Sequence, residues 1–196
     1  FFCRNSYRKP PLMPEFTSYC EAIEAGELSE KHRRYHDTEY GFAVDNDNEL
    51  FGRLLLEINQ AGLSWDTVLN KRESIRAAYA NFDIEKVASF NEDDILQLLD
   101  NPGIIRMRKK IEAAIYNAQR LLQIQNEYGS FKNWLDVQHP KNKEDWIKCF
   151  KQQFKFTGNE ITKEFLMGTG YLKGAHIAAC PIYVKIVKHQ PKWMDK

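Results

Sequence analysis

Apolar positions along this chain recur at helical spacing from end to end. Leu50, Phe51, Leu54, Leu55 and Ile58 mark one helix that begins near Asp47 or Asn48, either of which can cap it, and ends at Gln60-Ala61-Gly62. Asp66 to Tyr79 predicts a second, with Val68, Leu69, Ile75 and Tyr79 inward and Lys71, Arg72 and Arg76 outward. Asp83 and Asn91 read as N-caps of two short helices. After the turn Asn101-Pro102-Gly103, one long amphipathic helix is expected from Ile104 and Ile105 through Ile111, Ala114, Ile115, Ala118, Leu121 and Leu122. Phe131, Trp134 and Leu135 mark a short helix. Trp146, Ile147, Phe150 and Phe154 mark another, and Ile161 to Tyr171 the last clear one. Alternating strand patterns are nearly absent, so the fold class is all-α.

Glu57 interrupts the first pattern. It lies along the edge of an apolar face, where a carboxylate loses solvation and needs a partner. Trp65 follows the end of that helix. An acid on an apolar wall beside a flat aromatic suits a flat polar ligand such as a base; an edge glutamate next to a core tryptophan is the plainer alternative. KHRRYHDTEYG, residues 31–41, crowds ionisable and aromatic groups more densely than a surface loop needs.

Composition narrows the class without naming a function. The 196 residues suit one domain, and 43% hydrophobic with 28% charged residues is globular. No apolar run is long enough to span a membrane. A net charge of +1 argues against an indiscriminate polyanion binder but permits a local basic face. Four cysteines, with no signal peptide in view, fit reduced thiols in the cytoplasm. Residues 1–14 are set aside as an extension, leaving 15–196 as a single domain.

Two further groups could carry chemistry. The turn DNPGIIRMRKK, residues 100–110, places a glycine hairpin before a helix N-terminus, a ready anion site, followed by Arg106, Arg108, Lys109 and Lys110. A solvated basic hairpin would look the same. Cys20 and His36 near the start, with His176 and Cys180 near the end, supply the donors of a closed tetrahedral zinc site; HIAAC sets its pair one turn apart if helical. The alternative is core thiols and satisfied histidines. Cys3 and Cys149 lack such partners.

In order and spacing, YHDTEYG, EINQAGLSW with TVLNKRE, GIIRMRKKI and FKFTGNEITKEFLMGTGYLKGAHIAAC resemble the DNA-3-methyladenine glycosylase I (Tag) family of the helix-hairpin-helix glycosylases. The resemblance runs from Cys20 to Cys180. It implies a helix-hairpin-helix fold centred near residues 92–125, and a zinc-bearing helical subdomain made by the two chain ends, about 15–45 and 160–185. It implies a monofunctional monomer that flips 3-methyladenine out of alkylated double-stranded DNA and releases the free base. Glu57 matches the glutamate that recognises the base and favours its cationic form. Tyr35 matches the tyrosine that hydrogen-bonds the base, and Trp65 the stacking tryptophan. Tyr40 stands where the family often has tryptophan, so a ring is kept and a hydroxyl added. Cys20, His36, His176 and Cys180 correspond to one structural zinc. Gly62 and Leu63 correspond to the loop at the DNA, and Gly103, Arg106, Arg108 and Lys109 to the DNA-binding hairpin. Ala22 departs from the family, which has an aromatic two positions after the first cysteine. With Tyr40, it favours a rival reading, a non-catalytic DNA-binding module with a degenerate pocket, against which Glu57, Tyr35 and Trp65 argue; a second rival, a zinc-stabilised helical interaction protein, would need neither the pocket residues nor the basic hairpin.

Overall fold

The computed structural model describes residues 16–195, so the reading of 1–14 and of Cys3 lies outside it. The described residues form eleven α-helices and two short 3-10 turns, with no strand among them. The helices are α1 (Tyr19–Glu24), α2 (Glu30–Thr38), α3 (Asp47–Gln60), α4 (Trp65–Ala78), α5 (Ile84–Ala88), α6 (Glu92–Asp100), α7 (Arg108–Tyr128), α8 (Phe131–Gln138), α9 (Lys143–Gln153), α10 (Asn159–Gly168) and α11 (Pro181–Lys188). No helix among these residues is long and apolar enough to cross a membrane.

Helix α3 is the centre of the molecule. From Leu54 to Asn59 every residue is buried, so the expected single apolar face becomes an apolar surface nearly all round. Such a helix must be enclosed, and α4, α5, α7, α8 and α10 all pack on it. Glu57, expected along the edge of one apolar face, therefore lies inside the protein, with 7% of its surface accessible. Beyond α8 the core is aromatic: Phe131, Trp134, Phe150, Phe154 and Phe165 form a run of stacked and edge-on rings.

The caps depart from expectation in an informative way. Asn46 caps α3, accepting from the Glu49 N–H. Asp47 instead accepts from the Phe131 and Lys132 N–H groups at the start of α8, at 2.7 and 3.0 Å. Asn48 accepts from the Ile84 N–H at the start of α5. Both side chains thus satisfy orphan N–H groups of other helices and fasten α3 to its neighbours. Asp83 and Asn91 do cap α5 and α6.

Three boundaries also shift. Ile104 and Ile105 belong to the turn, and α7 begins at Arg108. Helix α10 stops at Gly168. HIAAC is not helical; Cys180 is the N-cap of α11, a helix the apolar pattern did not separate. The chain ends meet there: Cys20, Cys180, Ile182 and Ile186 form a small cluster of their own.

Candidate active site and its supports

A cavity of about 580 Å³ opens between α1, α2, α3, the start of α4, and α10. That size falls within the range of small-molecule sites, about 300–1,000 Å³. Tyr35, Tyr40 and Trp65 stand in its wall together with Glu57, so the residues read from the sequence come together. The Tyr35 ring lies 5.0 Å from that of Trp65 and 5.6 Å from that of Tyr40, centroid to centroid. Gly168 packs beside them: a Cβ there would meet the Tyr40 ring at 3.4 Å and the Tyr35 hydroxyl at 3.7 Å, ordinary contact distances. Ser64 caps α4 and so fixes Trp65 as its first residue.

The Glu57 carboxyl accepts no hydrogen bond from the described residues. Burial, and then the carboxylate of Glu164, push it up to about 8, against the opposing pull of Arg53. Arg53 sits one helical turn before Glu57, and two of its three guanidinium nitrogens are engaged elsewhere, Nη1 having no partner among the described residues. It reaches Glu39 at 2.9 Å and Glu49 at 3.0 Å. Arg72 and Arg76 complete this half-buried network on the same two acids, so they point inward rather than into solvent as expected. Glu57 is left as a buried acid on the cavity wall with no hydrogen bond among the described residues.

The four candidate metal ligands also come together. Cys20 Sγ and Cys180 Sγ each lie 3.5 Å from His176 Nδ1, and Cys180 Sγ lies 3.7 Å from His36 Nε2. All four are buried, and their donor atoms fall within 4.8 Å of one another. Tetrahedral metal bonds of about 2.0–2.3 Å place ligands roughly 3.3–3.8 Å apart, so this spacing suits a shared cation. The outer ring nitrogens are oriented as metal-bound histidines require. His36 Nδ1 meets Asp37 at 2.7 Å, and His176 Nε2 meets the Tyr40 carbonyl at 2.8 Å. The group could therefore hold a metal ion.

On the hairpin side, Gly103 N–H donates to Asn101 Oδ1 at 2.8 Å, and Ile104 is buried beneath the turn. Met107 leaves the N-terminus of α7 without a side-chain cap. Arg106 and Lys109 are exposed, whereas Arg108 forks onto Glu92 at 2.7 and 3.1 Å. Lys110 is buried and donates to the Asn59 and Ala61 carbonyls at 2.8 and 2.7 Å, tying the hairpin to the end of α3. Gly62, with φ of +80°, turns the chain there and leaves Leu63 40% exposed.

A sequence model of the methyladenine glycosylase family matches residues 25–153. DNA-3-methyladenine glycosylase 1 of Escherichia coli (strain K12) is 36% identical, over 76% of this chain and 89% of its own. The chain belongs to the methyladenine glycosylase family. Among solved structures, 3-methyladenine DNA glycosylase I from Staphylococcus aureus, studied for its recognition of 3-methyladenine, superposes with a TM-score of 0.75 at 32% identity. That match covers 84% of this chain and 97% of that one. A tyrosine-to-phenylalanine variant of 3-methyladenine DNA glycosylase I in complex with 3-methyladenine gives 0.73 at 32% identity, over 81% and 95%.

Sequence reasoning did not single out four site residues of this methyladenine glycosylase. Tyr19 lines the cavity and packs edge-on to Tyr40 at 5.9 Å, supplying from one position before Cys20 a ring that Ala22 does not. His32 holds the Tyr19 hydroxyl at 2.9 Å. Arg53 is the cation nearest Glu57 on α3. Glu164 lines the cavity and accepts from the Tyr40 hydroxyl at 2.8 Å, giving the hydroxyl expected at position 40 its partner. Its signal was faint: Glu164 follows Lys163 and only borders the apolar run FLMG, whereas Glu57 breaks into one.

Proposed function

We propose that this enzyme hydrolyses the N-glycosidic bond of 3-methyladenine in alkylated double-stranded DNA, acting as a monomer through one domain over residues 15–196. The observation that carries the reading is Glu57, a buried carboxyl without a protein hydrogen bond, at the wall of an aromatic cavity in a methyladenine glycosylase. N3-alkylation makes adenine cationic and weakens its bond to the sugar, so the base leaves neutral and no strong acid is needed. The pocket then has to hold a nucleotide flipped from the stack. Trp65 stacks on the base, Tyr35 hydrogen-bonds it, and with Tyr40 the rings exclude water. Glu57 accepts its exocyclic amine and favours the positive charge in a dry site.

DNA reaches the pocket along the helix-hairpin-helix formed by α6, the Gly103 turn and α7. Its uncapped N-terminus, Arg106 and Lys109 suit phosphates. Arg108 contributes once it leaves Glu92. Gly62 and Leu63 occupy the gap in the stack. Cys20, His36, His176 and Cys180 hold one zinc ion, which supplies no chemistry to the base and fastens the two chain ends as a helical subdomain.

The test is release of free 3-methyladenine from methylated duplex DNA. Release is the expected result. Binding without release would favour a non-catalytic DNA-binding module, and neither would leave a zinc-stabilised helical protein.

A further inference from the structure

We propose that Glu164 is a second base-facing acid of the pocket, held by Tyr40, and that with Glu57 it makes the site select a base that carries positive charge. This rests on the glycosylase reading above and adds to it a specificity-determining residue.

Glu164 lies on α10 and lines the same cavity as Glu57, which lies on α3. Its Oε2 accepts from the Tyr40 hydroxyl at 2.8 Å, and the same ring forms part of the stacking wall. The carboxylate is therefore aimed by a residue of the pocket itself. Its other oxygen meets Lys163 at 3.3 Å, but Lys163 also faces Glu160 at 3.4 Å, so one ammonium serves two acids. Around Glu57 the remaining charged or titratable neighbours are Arg53, whose Nη2 and Nε go to Glu39 and Glu49 while Nη1 has no partner among the described residues, and the phenols of Tyr35 and Tyr40. Each cation near the two acids is thus shared with another carboxylate.

Two like charges at one cavity favour whichever occupant relieves them. With a neutral base bound, Glu57 keeps a proton, in line with the direction of its shift. With a cationic base bound, the ligand supplies the missing charge and Glu57 can give up its proton. Selection then acts on charge, separately from the shape that the rings enforce. It works in the direction the reaction needs, since only the alkylated nucleotide is a cation.

The experiment compares two free bases in mildly alkaline buffer: 3-methyladenine, which is neutral, and its 9-methylated derivative, a fixed cation. Affinities are measured for the parent, Glu164→Gln, Glu164→Asp and Tyr40→Phe. The parent is expected to prefer the cation. Glu164→Gln should reduce that preference about tenfold, the scale of one charge-assisted contact, with little change for the neutral base. Glu164→Asp should restore part of it. Tyr40→Phe, which frees Glu164 without discharging it, should lower the preference less than Glu164→Gln, and it carries the test if Glu164→Gln does not fold. An unchanged preference in a folded Glu164→Gln would overturn the role of Glu164. Failure of the parent to bind either base, or to release base from methylated DNA, would overturn the glycosylase reading and this inference with it.

Discussion

Glu57 sits in an environment that favours its neutral form, while the task proposed for it calls for the charged one. Burial and Glu164 hold it up to about 8. For the free enzyme, kcat/KM for base release should therefore rise with pH toward that value as the carboxylate forms, and Glu57→Gln should abolish this limb along with most of the release. A single-turnover pH profile checks both. Stability runs in the opposite direction. A carboxyl whose folded pKa is raised contributes stability that is complete below its unfolded value and is lost as pH climbs through the folded one. Glu57→Gln should therefore melt higher than the parent above that pH, by on the order of 1–3 kcal/mol, and the gain should shrink in acid. A variant that loses both melting temperature and base affinity would mean that Glu57 supports the fold instead.

At the scale of elements, two helices meet through one side chain. Lys110, on α7, satisfies the carbonyls of Asn59 and Ala61 where α3 ends, one turn beyond Glu57 and beside the Gly62-Leu63 loop. Lys110→Met would leave those carbonyls short of a donor. The expected cost is about 1–3 kcal/mol of stability. Duplex binding and base release should fall together, while the affinity for free 3-methyladenine is retained. Urea melts and the two binding assays separate these outcomes. Lys109, one residue earlier and exposed, has a different expectation. Lys109→Ala should weaken binding similarly on several duplex sequences and lower the salt slope by about 1, because phosphates carry no sequence information. A loss confined to one sequence would assign Lys109 to base readout.

For the whole molecule, the decisive contact joins residues far apart in the chain. Cys20 and His36 come from the first helices, His176 and Cys180 from the loop before α11. A metal shared by all four closes a very long loop, which is where a clip stabilises most in principle. One zinc per chain is expected in protein purified without added metal. Cys180→Ser should lose it, with a fall of roughly 2–5 kcal/mol, by analogy with removing a covalent clip. The His176 ring also bonds the Tyr40 carbonyl, so the pocket wall should loosen next. Parent-like melting of Cys180→Ser together with a metal-free parent would reduce the four to core thiols and imidazoles.

The sequence by itself determined the all-helical class, the helices from Asp47 to Gln138 to within a few residues, and the caps at Asp83 and Asn91. Those features are written in local periodicity and in the hydrogen bonds of a turn, which neighbours in sequence decide. Its motifs also picked out Tyr35, Tyr40, Glu57 and Trp65. Tertiary structure alone decided that α3 is enclosed on all sides, that Asp47 and Asn48 serve other helices, and that Arg72 turns inward to Glu39. It alone brought Glu164 to Tyr40 and supplied Tyr19 in place of an aromatic at Ala22. The reason is that a side chain's partner in these cases lies on another helix, and helical periodicity gives the direction in which a residue points but not what stands opposite.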